Sequence, residues 1–188
     1  MSTSLAGSSF TVSQGVLQGA RFLPSPHCDP RPAGFDIDLV VLHSISLPPG
    51  QFGGDTVERL FLGTLDPASH PSFAELAGVR VSSHLFIRRD GEVLQFVPFQ
   101  QRAWHAGKSN WQGRDACNDF SIGIELEGSD YAPYDLAQYA ALNAVLQALY
   151  QAYPLLDRSH VVGHAEIAPG RKTDPGPAFD WARVHNRV

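Results

Sequence analysis

The sequence predicts an α/β domain in which helices flank a single mixed β-sheet. Three patterns indicate this class: apolar runs of strand length, a hairpin dipeptide between two further strand patterns, and apolar residues at helical spacing. The chain has 188 residues, of which 43% are hydrophobic, and can therefore bury one core. None of its Pro/Gly clusters is long enough for an interdomain linker. We expect an N-terminal segment at residues 1–23 and a single domain at residues 24–188.

The first strand pattern covers residues 39–43, an apolar and partly β-branched run that ends in His43. Two further strand patterns, at residues 82–88 and 92–97, flank the dipeptide Asp90-Gly91. This dipeptide suits the left-handed backbone of a tight turn, so a hairpin is predicted here.

Residues 121–127 alternate in character along a predicted strand. Ile122, Ile124 and Leu126 point to one face of this strand, whereas Gly123, Glu125 and Glu127 point to the other. We expect the first face to lie against the core and Glu127 to be solvated. Glu125 is either solvated as well or part of an active site on that face.

Two predicted helices begin with capping patterns. Asp55 is followed by Glu58, and Asp135 by Gln138, at the spacing of a capping box. The second helix continues with apolar residues at helical spacing until Pro154 ends it. A last short helix is expected over residues 179–185.

The composition argues against several classes of partner. Nineteen acidic residues oppose 14 basic ones, and the net charge of −5 disfavours nucleic acid and anionic membranes. The apolar runs are much shorter than a bilayer span. The first ten residues lack the basic and apolar stretches of a secretory signal, so a cytoplasmic location is expected. A monomer is expected, and nothing requires Cys28 and Cys117 to form a disulfide.

Two histidines end apolar strand patterns. His43 follows one such run and His164 the other, and Asp174 comes ten residues after His164, across a loop that can turn back. From position alone, His43 is equally a hydrogen-bonded core residue or a ligand at the carboxyl edge of a sheet. Two imidazoles and a carboxylate would leave the fourth tetrahedral position of a catalytic zinc open. The spacing itself is not diagnostic, because HExxH and CxxC patterns are absent.

Two charged residues are candidates for catalysis beside such a metal. Glu125 could accept a proton from an attacking water, and Lys172 could stabilise an oxyanion. The alternative for both is an ordinary solvated side chain. A serine mechanism lacks its GxSxG motif, and nucleotide binding lacks a complete P-loop, because Arg102 stands where the first glycine is required.

Several segments together resemble AmpD-type N-acetylmuramyl-L-alanine amidases. The resemblance rests on residues 40–50 (VVLHSISLPPG), 82–91 (SSHLFIRRDG), 102–107 (RAWHAG), 117–128 (CNDFSIGIELEG) and 163–177, which includes RKTDPGP. These segments occur in the order of the family and cover most of the chain from about residue 24 to 183. A match of this extent is specific.

The resemblance implies a Zn²⁺ ion held by His43, His164 and Asp174, with Glu125 as proton acceptor and Lys172 as transition-state stabiliser. It implies hydrolysis of 1,6-anhydro-N-acetylmuramyl peptides between the lactyl group and L-alanine during cytoplasmic peptidoglycan recycling, and through this an influence on β-lactamase induction. The expected partner is thus a small muropeptide, with neither nucleic acid nor membrane. Candidate substrate contacts are Ser44, Arg80, Trp104, His105 and Arg114.

The chain departs from the family pattern at two places expected near the substrate. Ser44 stands where the family has an asparagine, and Ala116 where it often has an arginine. Ser83 and Asp174 replace a tyrosine and a cysteine of other superfamily branches, which favours Glu125 as the base. Two alternatives stay open: a peptidoglycan-binding receptor without catalysis, which the complete residue set disfavours, and an exported wall-lytic amidase, which the missing signal disfavours.

Overall fold

A computed structural model describes residues 10–185 of the chain. The strands are β1 (Thr11–Ser13), β2 (Val16–Gln18), β3 (Arg21–Phe22), β4 (Cys28–Pro30), β5 (Leu39–Ile45), β6 (Leu85–Ile87), β7 (Val93–Gln95), β8 (Gln101–Ala103), β9 (Asn110–Trp111), β10 (Arg114–Asp115), β11 (Ser121–Glu127) and β12 (Val161–Gly163). The α-helices are α1 (Thr56–Phe61), α2 (Leu136–Ala152), α3 (His164–Ile167) and α4 (Ala182–His185), and 3₁₀ turns cover Pro71–Leu76, Cys117–Asp119 and Arg158–His160.

A six-stranded mixed sheet, in the order β12-β5-β11-β6-β7-β3, forms the centre of the fold. Strands β12, β5, β11 and β6 are parallel to one another, β6 and β7 form an antiparallel pair, and β3 runs parallel to β7. The predicted class, a mixed central sheet with flanking helices, is confirmed, but the sheet is not the single one predicted, because the pairs β1-β2, β4-β8 and β9-β10 form small sheets of their own. Residues 10–23 of the predicted N-terminal segment supply β1 to β3, whereas residues 1–9 lie outside the described residues.

The main core lies between one face of the sheet and α2. Ile122, Ile124 and Leu126 are fully buried in it together with Leu142 and Leu149 of the helix. Alternation along β11 places Glu125 on the opposite face of the sheet. The functional side chains therefore share the face that α2 does not cover.

The hairpin and the second helix follow their predictions. Strands β6 and β7 pair across a turn in which Gly91 has a φ of +89°, and α2 begins where the Gln138 side chain accepts the Asp135 backbone N–H. Helix α2 ends at Ala152, before Pro154, because proline cannot continue the helical hydrogen bonds.

Three local predictions need correction. The capping box at Asp55 is wrong, because its carboxylate pairs with Arg59 while Glu58 pairs with Arg88. Glu127 is only 4% exposed and accepts backbone N–H groups of Gly53 and Arg89, so the expectation of a solvated side chain is wrong. The last helix is shorter than predicted and begins at Ala182.

None of the helices within residues 10–185 has the length and apolar character needed to cross a lipid bilayer. Both cysteines are free, with Cys117 buried and Cys28 half-buried.

Candidate metal centre

The first candidate ligand, His43, lies near the carboxyl end of β5. The parallel register with β11 places it directly beside Glu125, so both side chains project from the same face of the sheet. His43 is only 1% exposed, and its Nδ1 atom faces the end of the neighbouring strand β12. The strand thus presents an imidazole where parallel sheets commonly bind ligands.

The other two candidate ligands are brought together by a loop that returns to its start. His164 follows β12 at the first position of α3, and the Ala165 N–H donates to the Asp174 carbonyl at 3.0 Å. Gly163 makes this return possible, because a Cβ at that position would lie 2.9 Å from Cδ of Pro175. The loop therefore places the Asp174 carboxylate beside the His164 ring.

Three side-chain atoms converge at this point. Nδ1 of His43 lies 2.9 Å from Nδ1 of His164 and 3.0 Å from Oδ2 of Asp174, and the third side of the triangle measures 3.1 Å. Among residues 10–185, these three form the group of His, Cys, Asp and Glu side chains whose ligand atoms could hold a metal ion. The predicted ligands are thus adjacent in the structure.

Burial and charge prepare these groups for a cation. Burial lowers the pKa of His43 to about 4, although the Asp174 carboxylate opposes this effect, so the imidazole is neutral near pH 7. Burial alone would raise the pKa of Asp174, but the two imidazoles outweigh it and hold that pKa well below its usual range. The centre therefore offers a neutral imidazole and an ionised carboxylate, as a divalent transition metal requires.

The hydrogen bonds of His164 provide an independent test of whether these three residues fit a metal ion. Its Nε2 atom lies 3.0 Å from the carbonyl oxygen of Ala106, which can only accept, so Nε2 carries the proton when the ring holds a single one. The lone pair of Nδ1 then faces the Asp174 carboxylate at 3.1 Å. Two electron-rich atoms at this distance repel each other unless a cation lies between them. The donor set therefore fits a metal ion.

Glu125 lies next to this set with one unused oxygen. Its Oε2 atom is buried and has no hydrogen-bond partner among the described residues. Burial raises the pKa of its carboxyl well above the usual range, the Asp174 charge adds to this, and the Lys172 ammonium opposes it. An unpartnered carboxylate oxygen with a raised pKa is suited to proton transfer.

Lys172 is exposed on the returning loop, two residues before Asp174. Its charge acts on both Glu125 and His43, lowering the pKa of each, which places its ammonium group within electrostatic reach of the centre. The predicted pair of catalytic side chains is thus found around the predicted ligands.

His105, a candidate substrate contact, lies next to His43 on the side away from the other two ligands, a position that no spacing in the sequence predicts. Nδ1 of His105 is 2.9 Å from Nε2 of His43, and Nε2 of His105 is 3.2 Å from the Ser121 hydroxyl. Gly123 provides the space, since a Cβ there would lie 2.5 Å from Cγ of His105. A glycine within a strand signals such a close approach, so Gly123 was the available clue.

The other candidate substrate contacts have protein partners of their own. The Ser44 hydroxyl is hydrogen-bonded to Tyr134, and Ser44 lines a cavity of about 380 Å³ with Tyr131, whose side chain is 85% exposed. Exposed Arg80 lies 5.3 Å from the ring centre of Trp104, and the Trp104 indole donates to Asp29. The fifth, Arg114, pairs with Asp38 at 2.8 Å and lies over the ring of Phe120.

Taken together, these groups could support amide hydrolysis: a metal ion held by the three ligand atoms would polarise a carbonyl, the Glu125 carboxylate can accept a proton and the Lys172 ammonium can stabilise negative charge. These are the requirements for hydrolysis of an amide by water.

Comparison with known proteins yields one family. The family described as N-acetylmuramoyl-L-alanine amidase matches residues 33–177, which is most of the chain and includes all five of these groups. The 1,6-anhydro-N-acetylmuramyl-L-alanine amidase AmpD of Escherichia coli (strain K12) is 60% identical over 172 residues, which cover 92% of this chain and 93% of the relative.

Solved structures give the same relationship. The crystal structure of a selenomethionine derivative of AmpD is 57% identical, with a TM-score of 0.89, and covers 92% of this chain and 96% of that chain. The amidase AmiD from E. coli was solved in complex with the substrate anhydro-N-acetylmuramic acid-L-Ala-D-γ-Glu-L-Lys. It is 30% identical, with a TM-score of 0.58, and the match covers 94% of this chain and 64% of that chain.

Proposed function

This chain belongs to the N-acetylmuramoyl-L-alanine amidase family, and we propose that it acts on 1,6-anhydro-N-acetylmuramyl peptides through a zinc centre built from His43, His164 and Asp174. The bond that it hydrolyses is the amide between the lactyl group of the anhydromuramyl sugar and L-alanine. The observation that carries the zinc proposal is the triangle of ligand atoms, with sides of 2.9, 3.0 and 3.1 Å.

When bound, zinc supplies a Lewis acid that polarises the scissile carbonyl and makes water acidic enough to attack near neutral pH. The two imidazoles would hold the ion through Nδ1, and the Asp174 carboxylate would supply the negative charge that keeps a divalent ion in a buried site.

Glu125 accepts the proton of the attacking water in this scheme. Its Oε2 atom has no competing hydrogen bond from any residue between 10 and 185, and Glu125 lies on the same sheet face as His43. The carboxyl then returns the proton to the amine of L-alanine, which makes the amine a better leaving group. The raised pKa of Glu125 suits both steps, because an acid that is too strong would hold no proton to return.

Lys172 stabilises the oxyanion that forms on the lactyl carbonyl. Its ammonium is exposed on the loop that ends in Asp174, so it can approach a substrate held at the metal centre. Ser44, Arg80, Trp104 and Arg114 are proposed to contact the sugar and peptide from the surrounding surface.

We place the reaction in the cytoplasm and assign it to one catalytic domain at residues 24–188 of a monomer, with zinc as cofactor. The AmpD relatives are named for the anhydromuramyl substrate, which arises during recycling of the cell wall and supports this location. An influence on β-lactamase induction remains a prediction of the same assignment.

The proposal is tested by assaying release of peptide from an anhydromuramyl tripeptide and from intact cell-wall polymer, with and without a chelator. We expect cleavage of the tripeptide, loss of activity with the chelator and recovery with added zinc. Glu125→Ala should keep stoichiometric zinc and His164→Ala should lose it, and both should be inactive. Full activity of either purified variant would refute the mechanism. A protein that binds the tripeptide without cleaving it, with zinc present, would instead be a receptor.

A further inference from the structure

One short segment, His105–Ala106, contacts both histidine ligands on the side away from their converging Nδ1 atoms. Nε2 of His43 lies 2.9 Å from Nδ1 of His105, and Nε2 of His164 lies 3.0 Å from the carbonyl oxygen of the next residue, Ala106. Each imidazole therefore directs one nitrogen to the metal centre and the other to the dipeptide His105–Ala106. Two ligands that lie 121 residues apart in the sequence thus share one support.

The segment determines which nitrogen of each ring carries the proton. The Ala106 carbonyl can only accept, so it requires N–H on Nε2 of His164 and leaves Nδ1 free to coordinate. His105 can do the same for His43, because its Nε2–H can donate to the Ser121 hydroxyl, 3.2 Å away, which leaves its Nδ1 as an acceptor. In this arrangement both rings present lone pairs to the metal.

A single side chain holds the segment in place. The Oδ1 atom of Asn118 accepts the backbone N–H of His105 at 3.2 Å and that of Ala106 at 2.8 Å. The Asn118 carbonyl in turn accepts from the guanidinium of half-buried Arg31, which fixes the 3₁₀ turn that carries Asn118. Arg171 also donates to the Ala106 carbonyl, at 2.6 Å, so this oxygen is oriented from two sides.

We propose that His105–Ala106, clamped by the side-chain amide of Asn118, is the outer support that fixes the tautomer and orientation of both histidine ligands and thereby sets the affinity of the centre for its metal. His105 and Asn118 are positioning residues in this proposal, since they act through the ligands. The inference rests on the proposed zinc centre and extends it to residues that contact the ligands on the side away from the metal.

The physical basis is general. A ligating imidazole that donates its second N–H to a fixed acceptor is a stronger ligand and loses less rotational freedom on binding, and removal of such acceptors commonly weakens metal binding by about 10- to 100-fold. We expect that range for His105→Leu, which removes the acceptor of His43. Asn118→Leu should fall in the same range, because it releases two backbone N–H groups and with them both supports.

The experiment measures zinc affinity by competition with a chromophoric chelator, on the full chain. His105→Asn and Asn118→Asp each keep an oxygen acceptor near the native position and should remain within about threefold of the wild type, in contrast to the Leu variants. Asn110→Leu is the matched control, because its Oδ1 also accepts a backbone N–H, that of Gly113, without supporting a ligand. Its affinity should equal that of the wild type.

A second measurement does not depend on any variant folding. Long-range ¹H–¹⁵N correlation spectra of the imidazole rings report the tautomers of the wild-type protein directly. We expect His164 to carry its proton on Nε2 with and without zinc, and His43 to do so with zinc.

The outcomes separate this inference from the proposed function. A wild type that binds no zinc would refute both. The wild type could bind zinc tightly while the folded His105→Leu and Asn118→Leu variants bind it with unchanged affinity. That result would refute only the role of His105–Ala106 and Asn118 in supporting the ligands. Coordination of zinc through Nε2 of either histidine would also refute it.

Discussion

Glu125 and Glu127 show how much the surroundings of a residue decide its role. Both project from the same face of β11, and the sequence pattern treats them alike. Glu127 accepts N–H groups from Gly53 and Arg89 and so becomes a structural anchor. Glu125 keeps an oxygen beside the metal centre that no group in the described part of the chain contacts by a hydrogen bond. The difference comes from loops distant in sequence, which the strand pattern cannot reveal.

At the scale of single residues, the charge of Lys172 leads to a prediction about the pH dependence of the reaction. Its ammonium lowers the pKa of Glu125, so removing the charge raises that pKa, and a higher pH is then needed to ionise the base. For Lys172→Met we expect the acid limb of kcat/KM to move to higher pH and kcat to fall by about 100-fold. The measurement is a pH profile of tripeptide cleavage. Lys172→Arg keeps the charge and should keep the limb in place. If the acid limb of the kcat/KM profile stays at the same pH in Lys172→Met, the assignment of Glu125 as the base is contradicted.

At the scale of elements, β11 joins the core to the site. Its apolar side chains pack under α2. Its other face carries Ser121 and Gly123, which lie against His105, and Glu125, which lies beside His43. Alternation along this strand was readable in the sequence because seven residues suffice to show a period of two. The strands of two or three residues, such as β8 and β10, are too short for such a signal.

Gly123→Ala tests the close approach of His105 to this strand. The added Cβ would lie 2.5 Å from the ring, so we expect a loss of about 1–3 kcal/mol in the free energy of unfolding, measured with urea. Combining it with His105→Ala removes the clashing ring and should make the glycine substitution nearly neutral in that background. If Gly123→Ala lowers the free energy of unfolding equally with and without the His105 ring, a clash with that ring is not the cause of the loss.

Helix α2 is tied to the sheet by one buried amide. The Gln138 side chain donates to the carbonyls of Ile87 and Glu127 and accepts from the Asp135 N–H. Gln138→Leu should cost about 2 kcal/mol in the free energy of unfolding, because buried polar groups lose their partner. Gln151→Leu, on the exposed surface of the same helix, should change it by less than about 0.5 kcal/mol. Similar losses in the two variants, by thermal or urea unfolding, would argue against this role.

At the scale of the whole molecule, the sequence indicates the class of fold but not how its parts meet. The apolar runs before His43 and His164 predict strands, and β5 and β12 confirm them as neighbours. Nothing in those runs places Asp174 between the two rings, because that position depends on the loop returning past Gly163. The His105 support was equally hidden, since it depends on a glycine in a third strand. Family resemblance, not spacing, provided the complete ligand set.

Buried imidazoles also determine how the metal-free protein responds to acid. Burial lowers the pKa of His43 from 6.5 to about 4 and lowers those of His84 and His105. Between these pH values the unfolded chain binds more protons than the folded one, so stability present above pH 6.5 is lost as the pH falls towards 4. The raised pKa of Glu125 acts in the opposite direction, but three imidazoles outweigh one carboxyl.

We therefore expect the free energy of unfolding of the zinc-free protein to fall from pH 6.5 to pH 4.5, by up to about 1.4 kcal/mol per pH unit for each histidine. Urea titrations in chelator at several pH values measure this slope. Glu125→Gln removes the opposing group and should make the slope steeper. A free energy that stays constant or rises over this range would contradict the assigned protonation states.

The distance along the chain between the ligands has a consequence for how the protein competes for zinc among other cellular proteins. His43 and Asp174 are 131 residues apart, so an unfolded or nascent chain offers only scattered weak donors. The ion cannot nucleate folding, as it does in a zinc finger, and acquires its high-affinity site only after the sheet has formed. For the proposed zinc centre, occupancy of the site thus requires that folding is complete.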